Sequence, residues 1–223
     1  HAAALWQALN ESRYANVALL SSDAAARVVA QSQSYWRLVQ DNAPLAEIIT
    51  TYGQFQCLAT NHIGPLGVID INEGVERLLA DKGLIERDDI NGWYHGRPII
   101  VTRNIPELEL FNGDIGITLN DPEGILRVYF EAEEGARDFI PSRIAHCETA
   151  YAMTVHKSQG SEFDEVLIVF PEVMNPVLTK ELIYTAITRA RKGVEIAVTE
   201  NIWLASVQQK IERHSGLVDK LTG

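Results

Sequence analysis

Cysteine is scarce in this chain. Only Cys57 and Cys147 occur, far apart and without a partnering pattern, so free thiols in the cytoplasm are expected rather than a disulfide framework. His146-Cys147 is one adjacent pair without further ligands at usable spacing, and no metal site is expected there. No apolar run approaches the roughly 20 residues that span a bilayer, which points away from a membrane. The start, His1-Ala2-Ala3-Ala4-Leu5-Trp6, lacks the basic head and cleavage site of a signal peptide, and the missing Met fits either a tag scar or a fragment. Gly-x-x-x-x-Gly-Lys-[Ser/Thr] is also missing, and with it the usual loop that cradles nucleotide phosphates.

Basic charge is short as well. Lys and Arg number 19 against 30 Asp and Glu, a net charge of −11, which argues against a general nucleic-acid-coating protein. The imbalance is local, however. Residues 1–150 hold 11 basic and 21 acidic side chains, whereas residues 151–223 hold 8 and 9. Lys157, Lys180, Arg189, Arg191 and Lys192 therefore fall in a near-neutral stretch, where they can form a positive strip beside an acidic remainder.

The apolar patterning predicts an α/β chain interrupted once. Helices are expected over Ala2 to Asn10, Ala24 to Val39, Leu45 to Tyr52 and Ile71 to Leu84, with short strands at Val17 to Leu20 and Phe55 to Ala59. Ser21-Ser22-Asp23 is a plausible cap for the second helix, and Gly83 a plausible stop for the fourth. Between about Gly92 and Cys147 short β-type runs take over, split by Phe111-Asn112-Gly113-Asp114 and Asn120-Asp121-Pro122-Glu123-Gly124. This reads as a small antiparallel β insertion, residues 92–147, inside a domain made of 1–91 and 148–223. Alternation then returns: strands at Tyr151 to Val155, Glu165 to Phe170 and Gly193 to Thr199, and helices at Lys180 to Arg191 and Glu200 to Arg213. Such alternation implies a parallel sheet with helices packed on its faces.

Two blocks carry the chemistry. The first, Thr154-Val155-His156-Lys157-Ser158-Gln159-Gly160-Ser161-Glu162-Phe163, begins at the carboxyl end of an expected strand, where open α/β sheets place their ligands. Thr154, His156 and Ser158 supply donors and Lys157 a compact positive charge. A helix starting near Val155 would add free backbone N–H groups. That array suits the phosphates of a nucleic-acid strand held without reading its bases. Gly160 permits close backbone approach, and Glu162 can accept from a ribose hydroxyl. Residue by residue, a polar strand-to-helix turn explains as much; the whole string at this position favours a site.

The second block is Tyr184-Thr185-Ala186-Ile187-Thr188-Arg189-Ala190-Arg191. Leu182, Ile183, Ala186, Ile187 and Ala190 give its helix a packing stripe, which leaves Arg189 as a rigidly placed planar cation. Taken alone, Arg189 and Arg191 are basic residues of the kind favoured near a helix C-terminus by its dipole.

Together the blocks resemble the fifth and sixth motifs of superfamily 1 helicases, with the nearest likeness to RecD-type subunits of the RecBCD helicase–nuclease (exodeoxyribonuclease V). Gly64-Pro65-Leu66-Gly67 is similar to the fourth-motif region of those proteins, and Phe111-Asn112-Gly113-Asp114-Ile115-Gly116 to a stretch ahead of their β insertion. The chain departs from the pattern at Thr60-Asn61-His62-Ile63, where His62 stands in place of an expected arginine.

The resemblance implies a RecA-like second motor domain with an SH3-like barrel insertion. It implies contacts to DNA from Thr154, His156, Lys157 and Ser158, and to the nucleotide from Gly160, Glu162, Tyr184, Thr188 and Arg189, with Arg189 as the arginine finger. ATP and Mg2+ would be held mainly by a first motor domain outside this chain. The partners it implies are single-stranded or duplex-end DNA and RecB-like and RecC-like subunits. The activity would be 5′-to-3′ translocation in recombinational repair, and the chain alone would hydrolyse no ATP. Two other readings stay open: a noncatalytic DNA-binding or assembly module that keeps the fold, and a stand-alone RecD-like or relaxase-type motor.

Overall fold

The computed structural model describes residues 2–20, 23–86, 92–132 and 135–209. In chain order the helices are α1 (Ala2–Asn10), α2 (Ala24–Gln31), α3 (Gln33–Gln40), α4 (Leu45–Tyr52), α5 (Val68–Asp81), α6 (Lys180–Ile187) and α7 (Glu200–Gln208). The strands are β1 (Val17–Leu19), β2 (Phe55–Ala59), β3 (Pro98–Val101), β4 (Ile115–Asn120), β5 (Leu126–Ala132), β6 (Gly135–Phe139), β7 (Cys147–Thr149), β8 (Ala152–Thr154), β9 (Phe163–Val169) and β10 (Ala190–Ala197).

The strands fall into two sheets. β1-β10-β9-β2-β8 form a five-stranded sheet in which every pairing is parallel. Parallel strands need both faces covered, and the side-chain alternation along β9 shows how that is met. Leu167 and Val169 point with Cys57 and Ala59 into a core shared with α2, α3, α4 and α5. Val166 and Ile168 point with Leu58, Val194 and Ile196 into a second core built by α6 and α7, with Leu9 of α1. The expected parallel sheet between helical layers is therefore present.

The inserted strands form a separate antiparallel sheet in the order β6-β5-β4-β3-β7. Ile99, Val101, Leu108, Leu110, Val128, Phe130 and Ile144 make a small core of its own. Ile117 and Leu119 of β4 join the larger core instead, so this sheet packs onto the parallel one. A polar seam adds direction to that packing. Tyr94 donates to the buried Glu76 carboxylate at 2.9 Å, its hydroxyl lies 3.0 Å from that of Tyr151, and Thr149 reaches the same carboxylate at 3.0 Å. Among the described residues β6 and β7 do not pair with each other.

Several boundaries differ from the sequence expectation, each for a local reason. The run Ala24 to Val39 breaks at Ser32, whose hydroxyl donates back to Val29 O at 3.1 Å and offers the backbone an alternative to helix. Asp23 caps α2 by accepting from Ala26 N; Ser21 and Ser22 lie outside the described residues. α5 starts earlier, at Val68, because Asn61 O and His62 O accept its first free N–H groups, those of Val68 and Ile69. Gly83 follows that helix at φ +66°, the left-handed conformation that suits glycine after a C-terminus. α7 is described to Gln208, and residues 210–213 of the expected helix lie outside the described residues.

Candidate functional site

The first block does not begin a helix. β8 ends at Thr154, and residues 155–160 form consecutive turns closed by Lys157 N to Thr154 O at 3.0 Å and Gln159 N to His156 O at 3.3 Å. The expected array of free N–H groups at a helix N-terminus is therefore absent here: the amides of Lys157, Ser158 and Gln159 are spent within the turns and that of Val155 on Ala59 O. The centre of the block is structural. Val155 and Ser158 are fully buried, and the Ser158 hydroxyl donates to Val155 O at 2.8 Å. Ser158, expected as a DNA contact, thus faces the interior, whereas His156 is exposed and Thr154 half-buried.

Register explains what the block connects. Ala59, Thr154 and Val169 are paired neighbours at the carboxyl end of the sheet, while Phe163 pairs with Ala190 at the amino end. At about 3.3 Å per residue the length of β9 separates these ends by roughly 20 Å. The block runs from one end to the other as the crossover from β8, the edge strand, past β2 to β9.

At the carboxyl end, Lys157 does not stand alone. Its Nζ lies 2.9 Å from Glu148 Oε2, and His62 Nε2 lies 3.0 Å from the same oxygen. Glu148 comes from β7 of the inserted sheet, His62 from the loop after β2 and Lys157 from the turn after β8. Partial burial opposes ionisation of Glu148, but the hydrogen bonds from Lys157 and His62 outweigh it, and its carboxyl titrates below the ordinary glutamate range. Nearby, Asn175 Nδ2 donates to Asn61 Oδ1 at 2.9 Å, tying the loop after β9 to the loop that carries His62.

At the amino end the two blocks meet. α6 stops at Ile187 with Thr188 as its C-cap, so Arg189 sits in the link to β10 rather than on the helix, and Arg191 lies in β10 itself. The helix ends early because Ala190 already pairs with Phe163 in the sheet. Arg189 remains firmly held. Nε donates to Thr185 O at 3.2 Å, Nη1 to Ser161 O at 3.1 Å, and Nη2 to Thr188 Oγ1 at 3.4 Å. Its own carbonyl accepts from Phe163 N at 2.8 Å. All three acceptors of the guanidinium are neutral, which leaves its charge uncompensated by them.

The other nucleotide-side candidates are more exposed. Gly160 has φ +92° with open space where a Cβ would stand, and Glu162 pairs with Arg191 Nε at 3.1 Å. Thr188 is exposed. Tyr184 is 70% exposed and lines an apolar groove of about 410 Å³ with Leu9, Ile187 and Trp203. The arrangement thus joins Gly160, Ser161, Glu162, Thr188 and Arg189 and leaves Tyr184 to one side.

Sequence reading missed Glu148 and Asn175. Each acts through a partner brought close by the fold, and neither belongs to a motif that announces it. The planar Arg189 cation fits an accessory contact to a triphosphate, and the sequence lacks the phosphate-cradling loop that would bind it first. Among the described residues no group of three or more His, Cys, Asp and Glu is placed to hold a metal, and no helix is long and apolar enough to cross a membrane.

Residues 149–196 match the family described as UvrD-like helicase C-terminal domain. The RecBCD enzyme subunit RecD of Haemophilus influenzae is 39% identical over 152 residues, 68% of this chain and 22% of that protein. Its namesake in Mycobacterium tuberculosis is 37% identical over 169 residues, 76% and 29% of the two lengths. The ATP-dependent RecD2 DNA helicase of Deinococcus radiodurans is 30% identical over 170 residues, 76% and 24%. The chain therefore spans about a quarter of the length of the relatives it matches. Among solved structures, Bacteroides Pif1 bound to ssDNA shares 16% identity at a TM-score of 0.40, covering 86% of this chain and 53% of that one.

Proposed function

The chain belongs with the RecD subunits, whose C-terminal part it matches, and on that premise we propose that it serves as the second motor domain of an ATP-dependent DNA helicase subunit. In this reading the whole protein translocates on single-stranded DNA, enters at duplex ends during double-strand-break repair, and works in the cytoplasm with RecB-like and RecC-like subunits. Residues 1–91 and 148–223 form the RecA-like unit and 92–147 an SH3-like insertion, whose last strand, β7, runs across the junction to Thr149. Two features support the latter: the last strand, β7, lies beside the first, β3, with a three-strand meander beyond, and a short 3-10 turn at Pro141–Arg143 precedes β7.

The observation that carries the proposal is the meeting of the two blocks at the amino end of the sheet. There Arg189 is tied to Ser161 yet, among the described residues, bonded only to neutral acceptors. A fixed guanidinium whose bonded acceptors are neutral suits the charge that gathers on a transferring phosphoryl group. ATP with Mg2+, bound mainly by a first motor domain, supplies the energy of hydrolysis. This chain contributes Arg189, with Gly160, Glu162 and Thr188 around it and Tyr184 at the margin. At the carboxyl end Thr154, His156 and Lys157 hold phosphates of the DNA strand, and Ser158 fixes the turn that presents them.

The experiment compares ATP turnover by the 223-residue chain with turnover by the intact polypeptide, each with and without oligo-dT. DNA-stimulated hydrolysis is expected only from the intact polypeptide. Robust turnover by the 223-residue chain would refute the division of labour.

A further inference from the structure

Two N–H donors at the carboxyl end of the sheet, Lys157 and His62, already face a carboxylate. Glu148 Oε2 lies 2.9 Å from Lys157 Nζ and 3.0 Å from His62 Nε2. Its side chain is 35% exposed, and those of Lys157 and His62 are 22% and 38% exposed. The three groups thus lie at the rim, within reach of a ligand from solvent. Glu148 is also the only member supplied by the inserted sheet, where it is paired with Ile100 of β3.

A phosphodiester presents what a carboxylate presents, an anionic oxygen pair that accepts from ammonium and imidazole N–H groups. We propose that Glu148 is an internal competitor of nucleic-acid phosphate: it holds Lys157 and His62 until a strand displaces it, so that strand binding here is an exchange of carboxylate for phosphate. This inference rests on the reading of the carboxyl end as a phosphate contact and adds to it a residue from the inserted sheet. The exchange weakens binding, because each new contact replaces an existing ion pair. It also selects against isolated small anions, which do not compete with a carboxylate fixed on a strand, and favours a polyanion that brings several phosphates at once. The seam residue Thr149 is next in sequence and bonds to Glu76 at 3.0 Å, so the latch is anchored in the contact between the two sheets.

The test uses the intact polypeptide and a fluorescein-labelled oligo-dT strand, with affinity read by anisotropy at fixed salt. Glu148→Gln keeps the shape and a carbonyl acceptor for Lys157 while removing the charge. It is expected to bind the strand about three- to fivefold more tightly, the size of one partly exposed ion pair. Lys157→Ala is expected to weaken binding, and in the Lys157→Ala background Glu148→Gln should lose most of its gain. A melting curve for each variant confirms that the fold is kept. If Lys157→Ala binds as before, the phosphate reading of this end fails and the latch with it. If Lys157→Ala weakens binding but Glu148→Gln is unchanged or weaker, the phosphate reading stands and the latch is overturned: Glu148 then only orients Lys157.

Discussion

Replacing Arg189 with alanine separates a structural staple from a functional cation, because the two roles predict losses of very different size. As a staple, the guanidinium makes three bonds to neutral acceptors, at 3.1 to 3.4 Å, from a half-buried position. Ideal bonds from a charged donor contribute about 1.5 kcal/mol or more each, but these are long and half-exposed, and at about 1 kcal/mol each they come to roughly 3 kcal/mol. A loss of roughly 3 kcal/mol still leaves a domain of ordinary stability, about 5–15 kcal/mol, more than about 95% folded. As a phosphoryl-facing cation, the same side chain is worth about 10³–10⁵ in turnover, or roughly 4–7 kcal/mol of barrier. Unfolding on the first scale does not imitate a rate loss on the second.

The assay is steady-state ATP turnover of the intact polypeptide with saturating oligo-dT, alongside melting curves and a nucleotide-binding titration. Arg189→Ala is expected to lose at least a thousandfold in kcat while nucleotide affinity stays within about fivefold. Arg189→Lys keeps the charge but loses the fork that serves Thr185 O and Ser161 O together, so it should recover only a small part of the rate. Arg191→Ala is the control, since its partner Glu162 and itself are more than half exposed and such pairs contribute little. A folded Arg189→Ala protein that turns over within tenfold of the unsubstituted one would refute the assignment.

Two further outcomes follow from local geometry. Gly96 has φ +83°, and a Cβ there would stand 2.5 Å from Trp36 Cζ3; Gly96→Ala should therefore cost at least about 2 kcal/mol in a denaturant titration, and a loss under 0.5 kcal/mol would contradict the packing described. Glu148 is lowered from its usual value of 4.5 in the folded protein, so its contribution is fully present above that pH and disappears as pH falls through the lowered value. The stability of the unsubstituted protein relative to Glu148→Gln should then be flat above about pH 6 and decline below about pH 4.5; a difference that grows on acidification would reverse the sign.

Much of the architecture was legible in the sequence because its signals are local. Phe55 to Ala59 and Leu45 to Tyr52 lie where apolar runs and the Pro44 break place them, and the turn at Asn120 to Gly124 separates β4 from β5. What the sequence concealed depends on competition between distant groups. Arg189 reads as helical until the pairing of Ala190 with Phe163 draws the chain into β10. Ser158 reads as a surface donor until Val155 O takes its hydroxyl inside the turn. Glu148 has no local pattern at all, since its partners arrive from the ends of β2 and β8 through the parallel register.

That register also bears on how two distant contacts act as one. Coupling between sites needs an element whose arrangement both ends bias. The segment from Thr154 to Phe163 qualifies by position, since it starts at the carboxyl end beside Ala59 and finishes at the amino end beside Ala190. Its centre is clamped: Val155 N donates to Ala59 O, and the buried Ser158 bonds within the turn. Between these anchors it meets both contacts, with Lys157 facing Glu148 and Ser161 O accepting from Arg189. One run of backbone thus touches both contacts, without a chain of side chains through the core. It is also the segment on which the strand contact and the phosphoryl contact of the proposed motor both depend. The buried middle residues, which touch neither ligand, are therefore as much a part of the site as the cations that do.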